Sequence, residues 1–217
     1  MRELTPAGRR ILDAASALFY DQGIHAVGVD AVARAAGVTK KTLYDCFGSK
    51  DVLVACYLRA RDERWREWLT SYVDHHAAAR TSTGRRASTD KDRDGDRGGD
   101  GAADRKVGVE RVLATFDALE QWSRRENTRG CAFVNALAEL PENADHPGRG
   151  VILEQKRWLL GYLTDLVRAA GIRRPGTVAA GLLVLHEGAS VSYGTGVPTR
   201  AVAQARRLAA LALADNA

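Results

Sequence analysis

The sequence predicts an all-α protein with a small N-terminal three-helix domain and a larger helical remainder. Three observations carry this. Apolar residues recur at helical spacing along most of the 217 residues, as in Ile11, Leu12, Ala15, Leu18 and Phe19. The stretch VDAVARAAGVTKKTLYDCFGSKDVL (Val29–Leu53) reads as two short helices around a glycine turn. The last forty residues form two further helices with smooth, small-residue faces.

Thr5-Pro6 opens the first helix: a capping hydroxyl, then proline where its missing N–H costs nothing. Gly23 stops it. In the next helix Val32, Ala33 and Ala36 share one face. Gly37 then interrupts, since glycine takes a positive φ without a Cβ clash. Thr39 has the chemistry to cap the following helix, which buries Leu43 and Phe47 and leaves Lys40, Lys41, Thr42 and Tyr44 outward. Short donors and cations at the start of an exposed helix suit a major-groove reader, with base edges and phosphates as their partners. From the turn alone a second reading stands equally: any small three-helix domain has such a turn, and the lysines are a solvated face.

The pattern V-x-x-V-A-x-x-A-G-V-T-x-x-T-L-Y-x-x-F-x-S-K-x-x-L (Val29–Leu53) resembles the DNA-binding domain of the TetR/AcrR family of bacterial transcriptional regulators. The resemblance covers about the first quarter of the chain. It implies DNA contacts from Thr39, Lys40, Lys41, Thr42 and Tyr44, and a phosphate contact from Lys50 at the start of the next helix, which Ser49 caps. It also implies a helix-turn-helix domain over residues 1–55 and a ligand-binding and dimerisation domain over 56–217. The sequence departs from the commoner family pattern at Val27-Gly28, where a Thr or Ser often stands, so no side-chain DNA contact is expected there.

Downstream, the helix from Lys50 is expected to run to about Ala79, with Leu53, Tyr57, Trp65, Trp68, Leu69 and Tyr72 along it, joining both domains as a lever. Residues 80–106 hold fourteen charged residues, five glycines and no Val, Leu, Ile or aromatic residue, and read as a disordered surface loop. Val109, Val112, Phe116 and Leu119 mark the next helix, and RGCAFVNALAEL (129–140) a short buried one ended by Pro141. A helix from about Pro147 to Gly171 carries Val151, Trp158, Tyr162 and Leu166. The closing helices span roughly 175–194 and 198–214. On them Gly181, Val184, Leu185 and Gly188, with Val202, Ala205, Leu208 and Ala209, face either the subunit's own core or a second subunit. The family's habit of dimerising through its last two helices favours the second.

Composition sets outer bounds. A net charge of +5 and pI near 9.3 permit nucleic-acid binding without demonstrating it, because the first 53 residues carry seven Lys/Arg against six Asp/Glu. No apolar run reaches membrane-span length and no signal-peptide core follows the N-terminus, so a cytoplasmic protein is expected. Cys46, Cys56 and Cys131 form neither CxxC nor an even framework. Cys46, on the helix that carries Leu43 and Phe47, reads as a small buried or half-buried side chain or as a redox-sensitive one.

No catalytic constellation is visible. There is no Gly-Lys pair for a P-loop, and His186-Glu187 lacks the second histidine of a zinc-protease helix. His75 and His76 diverge by about 100° on a helix. No cofactor, no metal and no enzymatic activity are expected. Trp65, Trp68, Tyr72, Phe116, Trp158, Tyr162 and His186, with Cys131, Asn135 and Glu139, are the candidates for lining a pocket for a small-molecule effector; an aromatic stripe also serves as plain core. The sequence therefore points to a homodimeric, ligand-responsive repressor on a palindromic DNA operator. The alternatives are a ligand-independent or activating regulator of the same fold and, more remotely, a helical enzyme or partner-binding module.

Overall fold

The computed structural model describes residues 4–87, 99–126, 128–142 and 145–216. Among them are nine helices and no strand: α1 (Pro6–Gln22), α2 (Val29–Ala35), α3 (Lys40–Phe47), α4 (Lys50–Ala87), α5 (Gly99–Glu126), α6 (Ala132–Glu139), α7 (Pro147–Ala169), α8 (Pro175–Thr195) and α9 (Ala201–Asp215). None of the helices is long and apolar enough to cross a membrane.

The chain divides into two compact units, Met1–Arg64 with Cys131–Lys156, and Trp65–Gly130 with Arg157–Ala217. The first unit does not end near residue 55. Its core joins Ile11, Phe19, Val32, Leu43 and Phe47 to Leu53, Tyr57 and Leu58 of α4, and also to Phe133, Ala136 and Leu140 of α6 and Val151 and Ile152 of α7. The apolar face of α6 thus covers part of the three-helix head's core, which a boundary drawn along the chain does not anticipate. The second unit packs α5, α8 and α9 together with the distal parts of α4 and α7 around Leu69, Val112, Phe116, Leu119, Leu159, Leu163, Leu182 and Ala209.

Thr5 caps α1 as expected, its Oγ1 accepting the Gly8 N–H at 3.1 Å, with Pro6 in the first helical turn. The low-apolar stretch departs from expectation at both ends: α4 continues to Ala87 and α5 begins at Gly99. Its middle, 88–98, lies outside the described residues. Scarcity of apolar side chains limits packing, but a helix satisfies its own backbone and can extend from a buried segment without a core of its own. The last helix starts at Ala201, three residues later than expected, after Arg200 at φ +60°.

Candidate nucleic-acid interface

The α2–α3 turn closes through backbone bonds. Gly37 donates to Arg34 O at 3.1 Å and Val38 to Ala33 O at 3.0 Å, with Gly37 at φ +63°, a conformation that favours glycine. Arg10 of α1 adds a third tie, its Nε donating to Ala36 O at 3.2 Å and satisfying a carbonyl at the end of α2. Arg10 was not readable as a positioning residue, because its partner lies 26 positions away.

α3 is held from both sides. Leu43 is fully buried and Phe47 nearly so, which fixes which face is turned away from solvent. At the helix start Thr39 Oγ1 accepts the Thr42 N–H at 3.1 Å and sits 2.9 Å from Thr42 Oγ1. At its end Gly48, at φ +75°, donates to Tyr44 O at 2.8 Å. Thr39, Lys40, Lys41 and Tyr44 are exposed and Thr42 is half-buried, so the five side chains proposed for DNA contact stand on one exposed element. Tyr44, an aromatic left 41% exposed, is the most apolar of them.

The charges of this surface are locally balanced. Lys40 Nζ lies 3.1 Å from Asp30 Oδ2, and Lys41 Nζ 3.2 Å from Asp45 Oδ2, with all four side chains at least half exposed. Such exposed pairs hold little energy and open readily when phosphates offer a stronger partner. Lys50 is less available: it is half-buried, with its ammonium 5.9 Å above the Phe19 ring. Gly28 caps α2 without a side-chain bond, and a Cβ placed there would meet nothing within 4 Å.

Residues 11–56 match the family model for bacterial regulatory proteins of the tetR family. A crystal structure of SCO4454, a TetR-family transcriptional regulator from Streptomyces coelicolor, is 27% identical and superposes with a TM-score of 0.74 over 97% of this chain and 95% of that one. The helix-turn-helix segment is thus that of the TetR family, and the chain as a whole has the fold of a TetR-family regulator. An uncharacterized helix-turn-helix-type transcriptional regulator of Mycobacterium tuberculosis is 38% identical over 69 residues, which is 31% of this chain and 34% of that protein. The match thus spans about a third of its curated relative. A TetR transcriptional regulator from Legionella pneumophila, 16% identical, shares the fold with a TM-score of 0.66 over 98% of this chain and all of that one. The matched segment and the fold alike are those of bacterial transcriptional regulators.

The ten effector candidates divide between the units. In the second unit, Trp65 and His186 (ring centroids 5.8 Å apart), Phe116 and His186 (5.6 Å), and Trp65 and Trp122 (5.4 Å) form one buried aromatic cluster. Trp122 was not singled out from sequence, although it continues the same helix face as Phe116 and Leu119. Trp68 donates its indole N–H to Ala118 O at 3.1 Å, and Tyr72 Oη accepts from Gln121 Nε2 at 3.1 Å. Trp158 and Tyr162 stack at 5.4 Å, with Arg66 lying 4.7 Å over Trp158. Burial raises the Tyr162 hydroxyl to about 12, helped by nearby Asp74.

The other three candidates belong to the first unit. Asn135 is exposed. Glu139 braces the turn after α1, its Oε2 accepting the His25 N–H at 2.7 Å. Cys131 is a buried free thiol with Lys156 Nζ at 3.7 Å, while Cys46 and Cys56 are half-buried free thiols. Among the described residues, no three His, Cys, Asp or Glu come together as a metal site.

The stripe expected on α9 also divides. Val202, Ala205 and Ala209 are buried in the protomer's own core, so these three are core residues, because that side of α9 packs on α5 and α8. The outward faces are Gly181, Val184 (72% exposed), Gly188 and Val191 on α8, with Leu208 and Leu211 on α9, while Leu185 is half-buried.

Proposed function

We propose that this protein is a homodimeric transcriptional repressor that places α3 in the major groove of a palindromic operator and releases it when a small molecule binds the second unit. The observation that carries this reading is α3 itself: an eight-residue helix, capped and buried on one side, presenting Thr39, Lys40, Lys41, Thr42 and Tyr44 outward. Threonine and tyrosine hydroxyls supply hydrogen bonds to base edges or phosphates, and the lysines supply phosphate charge. Two copies would read half-sites about one helical turn (~34–36 Å) apart.

Dimerisation is supported by the apolar outward faces of α8 and α9. Val184, Val191, Leu208 and Leu211 are large apolar side chains left exposed on neighbouring helices, and Gly181 and Gly188 leave room for a second helix to approach. The effector reading rests on the aromatic cluster of Trp65, Phe116 and His186, with Trp68, Tyr72, Trp158 and Tyr162 around it. An apolar or aromatic molecule that displaces one ring would repack α4, and α4 also supplies Leu53, Tyr57 and Leu58 to the core of the first unit. A coupling of about 1–3 kcal/mol between effector and DNA suffices for a switch.

Selection of bound sequences from a random duplex library tests the DNA reading. Recovery of one palindromic sequence supports it. Recovery of unenriched DNA, with binding that vanishes as salt rises, would leave only nonspecific phosphate contact and count against it.

A further inference from the structure

One groove in the first unit takes no part in the reading above. It lies between α6 and α7, encloses about 190 Å3, and is lined by Phe133, Val134 and Leu137 from α6 and Arg149, Ile152, Leu153 and Lys156 from α7. These positions follow helical spacing, so each helix contributes a single face. Leu137 and Leu153 remain 41% and 54% exposed at its rim. Both charged lining residues are cations, and no lining residue is acidic. Arg149 is half-buried and donates through Nη1 to Pro141 O at 3.1 Å, which uses one of its five N–H donors. Lys156, seven residues or about 10.5 Å of helix rise further on, lies 5.5 Å over the Phe133 ring.

We propose that this groove binds a small amphipathic carboxylate, its chain along Phe133, Leu137, Ile152 and Leu153 and its headgroup on Arg149. An apolar floor accepts the chain, and the Arg149 guanidinium selects an anion over a neutral or cationic head. The planar guanidinium matches a carboxylate through two parallel hydrogen bonds. The site is separate from the aromatic cluster of the second unit and stands whether or not that cluster takes an effector. Its floor helix ends at Glu139, which holds the His25 N–H, so an occupant touches the helix that braces the turn after α1.

The test is calorimetric titration of the full chain, without DNA, using sodium octanoate, hexanoate, 1-octanol and octylamine. Octanoate is expected to bind at one saturable site. Hexanoate should be weaker by about fourfold for each methylene removed. The alcohol, the amine and octanoate with Arg149→Gln should each be weaker by about tenfold or more. Leu153→Glu, at an exposed position that tolerates the change, should weaken octanoate as well and keeps the test valid if Arg149→Gln disturbs the Pro141 turn. Equal binding of octanol and octanoate, or octanoate binding unchanged in both variants, would overturn the proposal. So would a protein that ignores octanoate but changes oligomeric state with Leu153→Glu, since the groove would then be a contact between copies.

Discussion

If α3 reads DNA as proposed, Thr39 joins two functions in one side chain, and substitutions there can separate them. Its Oγ1 satisfies the Thr42 N–H at the start of α3, and Thr39 is exposed. Thr39→Ala hands that N–H to water rather than stranding it in a core, so the cost is about 1 kcal/mol, within the usual range for a lost N-cap. For a chain of this size that corresponds to a fall of roughly 2–4 °C in Tm. The effect should concentrate locally, because an eight-residue helix has little stability of its own. Amide hydrogen exchange should therefore quicken across Lys40–Phe47 more than in α1. Thr39→Ser should restore both stability and DNA affinity. Thr39→Asp should restore the cap, with a further gain of about 0.3–1 kcal/mol from the helix dipole, yet its charge would face phosphates and DNA affinity should not return. Full recovery of DNA binding in Thr39→Asp, or unchanged exchange in Thr39→Ala, would mean that Thr39 does not carry both roles.

Four further outcomes are expected. Lys40→Ala should change stability by less than about 0.5 kcal/mol, because its pair with Asp30 is exposed; titrations across a salt series should show weaker DNA binding and a slope reduced by about 1. Gly108→Ala should destabilise by about 1–3 kcal/mol in denaturant unfolding, since its Cβ would lie 2.6 Å from Ala170 Cα. Gly188→Ala, which meets nothing within 4 Å in the protomer, should leave the fold intact and weaken the dimer in sedimentation velocity. Burial raises Tyr57 from its ordinary value of 10.0 to about 12. Its ionised form is thus disfavoured in the fold, so its contribution is full below pH 10 and is lost as pH rises towards 12. Over that window the parent should lose about 2–3 kcal/mol more than Tyr57→Phe in urea unfolding.

Local chemistry made the head legible in the sequence. The caps at Thr5 and Thr39, the turn at Gly37 and the buried pair Leu43 and Phe47 each depend on neighbours within a few residues, and spacing alone reveals them. What the sequence left open depends on distant partners. Glu139 lies one turn from Asn135 and suggested a pocket, but its carboxylate is 114 residues from the His25 N–H it holds. The smooth stripe of α9 gave no sign of which side faced its own core; Val202, Ala205 and Ala209 turn inward while Leu208 turns out. Low hydrophobicity over 80–106 reported an inability to build a core, and helix extension from either end needs none.

Sequence reading by α3 can be measured by fluorescence anisotropy on the selected duplex against a scrambled one, across a salt series. At least ~10³-fold preference for the selected sequence is expected, with Thr42→Ala and Tyr44→Ala reducing that preference while the fold persists by circular dichroism. Equal affinity for both duplexes, or a preference untouched by either substitution, would contradict it.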